Sequence, residues 1–328
     1  MSSNHKNTGK LKKDYTQPPI CSIVIPTKNG GDLFAHVLNA LTKQTLWNQT
    51  ELIVIDSGSQ DNTVELAKQA GATVIEIAPH EFNHGATRDY GISLANSDTI
   101  ILTVQDAVPV NNNLLQALLS SLEDTAVAGV YARQIPQPDA DVLTKRNLNA
   151  WLTGRIEREV RFIPYDGWYE TLSPMEKHLF CNFDNVCSAI KKSVWQQQHF
   201  GHVNFGEDIV WAERVLRQGY HIVYEPEAAV IHSHNRPMSY EYKRTYICHR
   251  KLYALFGLHL VPNIRGMWRS WLYASITDML YILRNEKRLM QKIQLLFKAP
   301  ILDLLSIFGQ YQAVQDEIKG ISSSVTGV

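Results

Sequence analysis

SIVIPTKNGGDLFAHVLNALTKQTLWNQTELIVIDSGSQDNT, residues 22–63, carries the plan of the fold. Ser22–Ile25 is a β-branched run closed by Pro26, as in a buried strand that runs into a loop. Leu33, Val37, Leu38 and Leu41 then fall on one face of a helix. LIVID, Leu52–Asp56, is a second buried strand, and SGSQDNTVELAKQAG supplies polar caps, a helix and Gly71 as the stop. Strand and helix alternating in this way predict a parallel sheet with helices over both faces.

The pattern extends in the C-terminal direction. Thr73–Ile77 reads as a third strand, His84–Asn96 as a helix, and Thr99–Val104 (TIILTV) as a fourth strand. Leu114–Leu122 reads as a helix and Val127–Tyr131 as a fifth strand. Residues 134–180 lose the alternation and gain charge, aromatics and proline, as an insertion shaping a second pocket would. Val186–Ile190 is a further strand candidate, and GEDIVWAERVLRQG (206–219) a helix with a glycine at each end. His221–Tyr224 and Ala229–His232 look like closing strands, and beyond Pro237 the chain reads helical. The expectation is an α/β fold, a mostly parallel sheet between helices with a helical C-terminal appendage. Residues 1–19 form a disordered lead, 20–236 the sheet domain and 237–328 the helical region.

The composition, 45% hydrophobic and 20% charged over 328 residues, is that of an ordinary globular chain. Lys+Arg and Asp+Glu are both 32, so net charge gives no argument for nucleic acid as a partner. The balance hides an asymmetry: Pro237 onward holds 12 basic and 6 acidic residues, leaving the rest equally acidic. A basic tail on an acidic body suits contact with phosphates or an anionic surface. Cys21, Cys181, Cys187 and Cys248 contain no CxxC and read as reduced thiols. No apolar run reaches about 18 residues, and the N-terminus lacks the apolar core of a secretory signal. A cytosolic protein is expected.

Neither a Walker loop nor GxGxxG follows the first strand, and GxSxG is missing as well. What remains is polar residues at strand ends, where open α/β sheets bind ligands: Thr27 and Asn29, Asp56, then Gln105 and Asp106. Any single Asp there could equally be a helix cap. A diphosphate leaving group needs a divalent cation, which Asp106 could hold. A hydroxyl nucleophile needs a proton acceptor, which Asp208 could be. Glu207 and Asp208 also fit as acids favoured by a helix N-terminus, worth up to ~1 kcal/mol each.

SIVIPTKNGG, LIVIDSGSQDNT, FNHGATRDYG, TVQDAVP and FGEDIVWAERVLRQGY, in this order, resemble the inverting glycosyltransferases of family 2, whose fold is called GT-A. The resemblance covers about Ser22–Asn235. FNHGATRD, QDAVP, ARQIPQPDA, NVCSAIKKSVW and VIHSHN further resemble the bacterial rhamnosyltransferases of surface polysaccharide synthesis.

The resemblance implies roles position by position. Pro26, Thr27, Asn29, Ser57, His84 and Gln105 would border the nucleotide sugar, Asp56 would face the pyrimidine, and Arg88 would hold base or diphosphate, unless it merely pairs with Asp89 on the surface. Asp106 would be the last acid of the family's DxD metal motif. The first acid is replaced here by Val104, so one carboxylate anchors the Mg²⁺ or Mn²⁺ and binding without nucleotide should be weak. His234 would complete the metal shell, with His232 buried in the strand pattern. Asp208 would be the general base and Glu207 its support. Arg133, Gln134, Asp184, Asn185 and Trp211 would line the acceptor or sugar pocket, with a core position as the alternative for Trp211.

Trp268, Trp271, Leu272, Ser275, Ile276, Met279, Leu280 and Leu283 recur at helical spacing, with Arg284, Lys287, Arg288 and Lys292 beyond. They fit a hairpin packed on protein, or a peripheral contact with the anionic inner leaflet of the cytoplasmic membrane. The implied reaction moves L-rhamnose from dTDP-rhamnose to a saccharide on a polyprenyl-diphosphate lipid. Alternatives are a UDP-sugar donor, or a non-catalytic nucleotide-binding scaffold. A sugar-nucleotide pyrophosphorylase is disfavoured because PTKNGG is poor in glycine and basic residues.

Overall fold

The computed structural model describes residues 17–234 and 238–321. Most of the expected disordered lead, residues 1–16, and Asn235 of the VIHSHN motif lie outside them. The elements in order are β1 (Cys21–Thr27), α1 (Gly31–Leu41), β2 (Thr50–Asp56), α2 (Thr63–Gln69), β3 (Thr73–Glu76), α3 (His84–Leu94), β4 (Thr99–Thr103), β5 (Val108–Pro109), α4 (Leu114–Ser121), β6 (Val127–Ile135), α5 (Val142–Ala150), β7 (Glu159–Arg161), α6 (Trp168–Thr171), α7 (Pro174–Phe180), β8 (Cys187–Lys191), α8 (Lys192–Gln197), α9 (Glu207–Arg217), β9 (His221–Ile231), α10 (Met238–Phe256), α11 (Ile264–Asn285) and α12 (Leu289–Ile318). They fall into two compact units. One holds the chain up to Ile135 with Trp151–Glu170 and Cys181–His232; the other holds Pro136–Ala150, Thr171–Phe180 and the chain from Ser233. The irregular segment after residue 134 is thus shared between the two.

The first unit is built on a sheet of order β3-β2-β1-β4-β8-β6-β9-β5, with β7 also on β9. β1 pairs in parallel with β2 and β4, and β2 with β3, as the opening alternation predicts. The second half is mixed, because β8 enters antiparallel between β4 and β6 while β6 and β9 run parallel. An apolar run such as CSAIK carries no direction, so this reversal was not readable. β9 is one strand where two were expected: the register with β6 steps from Ala132–Glu225 to Arg133–Ala229, so Pro226, Glu227 and Ala228 are carried as a bulge. Ile23, Ile25, Val54, Phe34, Val37, Ile101 and Leu118 form the core between sheet and helices. Burying each such side chain stabilises by roughly 1.5–3 kcal/mol. None of the four cysteines is in a disulfide.

The second unit is helical. α12 packs on α10 and α11, α5 on α11, and α7 on α10. Leu143 of α5 joins Ile282, Leu295 and Ala299 in one small core, and Arg146 pairs with Asp278 at 2.8 Å. The Tyr246 hydroxyl donates to Asp316, and Arg250 pairs with Glu317 at 2.6 Å, fastening α10 to the end of α12. By length and composition α12 is able to cross a membrane: its most apolar 18-residue window has mean hydropathy 1.3 and is only 22% buried. A search for an unbroken apolar run misses it because Lys298 and Asp303 interrupt the pattern. Met290, Ile293, Phe297 and Ile301 are exposed and lie within an arc of about 80° on α12. Trp268, Leu272, Ile276 and Leu283 form a matching exposed stripe on α11.

Candidate active site

Three loops leave the carboxyl ends of β1, β2 and β4, and their polar residues tie them together. Lys28 N–H donates to Gln105 Oε1 at 2.8 Å, and Gln105 Nε2 returns a bond to Lys28 O at 3.1 Å. Asn29, in the left-handed region at φ 48°, donates its N–H to Ser59 Oγ and accepts Gln60 N–H on Oδ1, each at 2.8 Å. Buried Asp56 accepts the N–H groups of Gly58 and Ser59 on Oδ2 and the hydroxyls of Ser59 and Thr27 on Oδ1. Ser57 Oγ donates to Thr27 O at 3.0 Å. Of the two readings of Asp56, its own turn occupies its oxygens as a cap would. Pro26 lies within β1 opposite Ile55 and Thr27 ends the strand, so these residues build a rigid rim.

Asp106 follows β4, and His232 follows β9. His232 Nε2 lies 3.6 Å from Asp106 Oδ1. His232 is buried, as its place in the strand pattern predicts, and its outer nitrogen faces the carboxylate. His234, preferred from the sequence, follows two residues later and belongs to the helical unit. A carboxylate oxygen and an imidazole nitrogen are the donors a divalent transition ion accepts. Gln134, expected in the sugar pocket, is buried and bonded to both His232 and Asp184.

Glu207 and Asp208 open α9, whose preceding residue, Gly206, is left-handed at φ 71°. Glu207 is buried and forms an ion pair with buried Arg88 at 2.9 Å. Arg88 also donates to His84 O at 3.0 Å, so it is buried against Glu207 and is not a surface partner of Asp89. Asn185 reaches both carboxylates, its Nδ2 donating to Glu207 Oε1 and its N–H to Asp208 Oδ2, each at 3.3 Å. It supports the acids rather than lining a pocket.

The two acids therefore diverge. Burial raises the Glu207 carboxyl, but the Arg88 guanidinium and His84 outweigh it and hold Glu207 below its usual value. Asp208 has no cation at hand among the described residues: burial first, then the charges of Glu207 and Asp184, hold it well above the usual carboxylate range. Asp184 is itself pushed up to about 6, chiefly by burial. Among the described residues Asp208 accepts backbone N–H groups alone, from Ile209 and Asn185.

The FNHGATRD stretch explains how α9 is presented. Asp89 accepts Trp195 Nε1–H at 2.6 Å, Phe200 N–H at 3.0 Å and Gly201 N–H at 2.7 Å. Asn83 caps α3 through Ala86 N–H and accepts Val203 N–H on the same oxygen. A Cβ on Gly85 would collide with the Gly201 carbonyl. The motif is thus a clamp on the loop that leads into Asp208. Sequence reasoning missed Asp89 and Asn83; an Asx residue one position before a helix was the available signal for Asn83. Trp211 is 0% exposed and packs between Phe183 and Phe200, so it is a core residue and cannot stack on a sugar. His84 sits at the start of α3, edge-on to Phe82, and Arg133 buries an unpartnered Nε.

Residues 22–197 match the family described as Glycosyl transferase family 2. The chain is 32% identical, over 68% of its length and 69% of the relative's, to the O-antigen chain rhamnosyltransferase RfbN of Salmonella typhimurium. To the O-antigen chain rhamnosyltransferase WbaN of Salmonella anatum it is 35% identical, over 69% and 70%. In fold it is similar to the Pyrobaculum calidifontis mannosyltransferase PcManGT, solved with GDP-Man and Mn²⁺. The TM-score is 0.59 at 14% identity, covering 94% of this chain and 89% of that one. S. aureus TarS 1-349 is similar too, at TM-score 0.51, 11% identity and coverage of 92% and 91%.

Proposed function

The chain belongs to glycosyl transferase family 2 and is a glycosyltransferase, and from that premise we propose that it inverts a rhamnosyl donor onto a lipid-linked saccharide. The donor is dTDP-L-rhamnose, and the product enters surface polysaccharide. The names of the two Salmonella relatives support the sugar. One observation carries the mechanism: Asp208 is a half-buried carboxylate held well above the usual range, with no cation paired to it among the described residues, beside a Glu207 neutralised by Arg88. Such a group takes a proton near neutral pH far better than an ordinary aspartate.

Asp208 accepts the proton of the acceptor hydroxyl as its oxygen attacks the anomeric carbon. The bond from that carbon to the diphosphate oxygen breaks on the opposite face, so a β-linked donor yields an α linkage. Asn185 and the Arg88–Glu207 pair keep Asp208 oriented, and the rim of Thr27, Asn29, Asp56 and Gln105 receives the nucleotide. Asp106 and His232 would hold Mg²⁺ or Mn²⁺, which when bound neutralises the departing diphosphate. The acceptor rides on a polyprenyl diphosphate, and the outer stripes of α11 and α12 rest on the cytoplasmic face of the inner membrane.

A donor panel tests this reading. Thermal shift and slow donor hydrolysis are measured with Mg²⁺ or Mn²⁺ across nucleotide sugars. Stabilisation by dTDP-rhamnose, dependent on metal and weakened in Asp106→Ala, is the expected result. Preference for a UDP-sugar would overturn the rhamnosyl assignment and leave Asp208 in place. Binding without any turnover would favour a scaffold.

A further inference from the structure

Gln134 lies on β6 and is 6% exposed, between two groups that impose opposite demands on its amide. Its Nε2 donates to Asp184 Oδ2 at 2.5 Å, while Asp184 Oδ1 accepts Val186 N–H at 2.9 Å. Its Oε1 lies 3.0 Å from His232 Nδ1. The flipped amide would set its oxygen against a carboxylate oxygen, so Asp184 fixes the orientation. An amide oxygen facing Nδ1 requires that nitrogen to carry the hydrogen. The lone pair of the neutral imidazole is then on Nε2, the nitrogen 3.6 Å from Asp106.

We infer that Gln134 is a positioning residue for the cation site, setting the His232 tautomer so that Nε2 acts as the ligand beside Asp106, with Asp184 locking Gln134 in turn. The inference rests on the proposed cation site and adds to it an outer layer drawn from β6 and the residues before β8. Partners of this kind typically change metal affinity by about 10–100-fold when removed.

The test is the affinity for Mn²⁺ in the presence of dTDP, and in parallel UDP, by calorimetric titration, with no turnover involved. Gln134→Leu keeps the volume and is expected to weaken Mn²⁺ about 10–100-fold. Gln134→Glu should weaken it too, because its second oxygen meets Asp184. The exchange Gln134→Glu with Asp184→Asn reverses that contact: the amide now on the β8 side donates, the carboxylate now on β6 accepts from both sides, and Nδ1 keeps its hydrogen. The double variant should recover affinity to within a few-fold of the parent, an outcome that loss of packing cannot produce. It also replaces Gln134→Leu as the decisive arm should that variant fail to fold. Parental affinity in Gln134→Leu together with loss in His232→Ala would overturn the inference and leave the cation site standing. Equal impairment of Gln134→Glu and the exchange would also overturn it. Parental affinity in both His232→Ala and Asp106→Ala would overturn the cation site and this inference together.

Discussion

Glu207 and Asp208 are neighbours in sequence, yet the fold gives them opposite acidities, and the cause is which of them Arg88 reaches. Two consequences are measurable. In the proposed mechanism turnover needs Asp208 ionised, so the acid limb of kcat/KM against pH should fall above the ordinary carboxylate range. The second concerns stability. A carboxyl whose folded pKa is raised contributes stability below its unfolded pKa near 4, and loses it as pH rises through the folded value. Asp208→Asn escapes that loss. It should therefore melt above the parent at pH 7.5, the difference closing as pH drops to about 4. The same variant should lose roughly 10²–10⁴-fold in turnover while still binding nucleotide. FGED and TVQDAVP single out Asp208 and Asp106 in the sequence as candidates. That Arg88 serves Glu207 while Trp211 is core was not legible there, because each depends on partners distant in the chain.

At the scale of elements, α3 acts on α9 through the loop between α8 and α9. Asp89 alone holds three donors of that segment. Asp89→Ala strands them, and stability should fall by about 3 kcal/mol or more in chemical denaturation. Gly85→Ala drives a methyl into the Gly201 carbonyl and should cost about 1–3 kcal/mol. Both variants should lose more turnover than nucleotide affinity, since the clamp presents Asp208 and not the rim; equal loss of both would place the motif at the nucleotide instead. Strands and helices of the first unit were largely legible because their apolar periods are clean: α9 was expected within Gly206–Gly219 and spans Glu207–Arg217. The antiparallel entry of β8 and the bulge in β9 were not legible, since direction and register are set by pairing across the sheet.

For the whole molecule, an acidic sheet unit is joined to a basic helical one whose α11 and α12 expose apolar stripes flanked by Arg284, Lys287, Arg288 and Lys292. The proposal of a membrane contact predicts co-sedimentation with vesicles rich in phosphatidylglycerol, loss on pure phosphatidylcholine, and weakening in high salt. Phe297→Glu, which alters a side chain 75% exposed, should reduce binding at least tenfold without lowering the melting temperature. Unchanged binding would remove α12 from that contact. The stripe on α11 was readable from its spacing; the one on α12 emerges only once its burial against α10 is known. The reaction proposed for this chain is a single displacement driven by Asp208. The most direct measurement follows slow hydrolysis of dTDP-β-L-rhamnose by proton NMR, fast enough to catch the first-formed sugar before it mutarotates. α-L-rhamnose appearing first is the predicted result, and β-L-rhamnose appearing first would contradict the account.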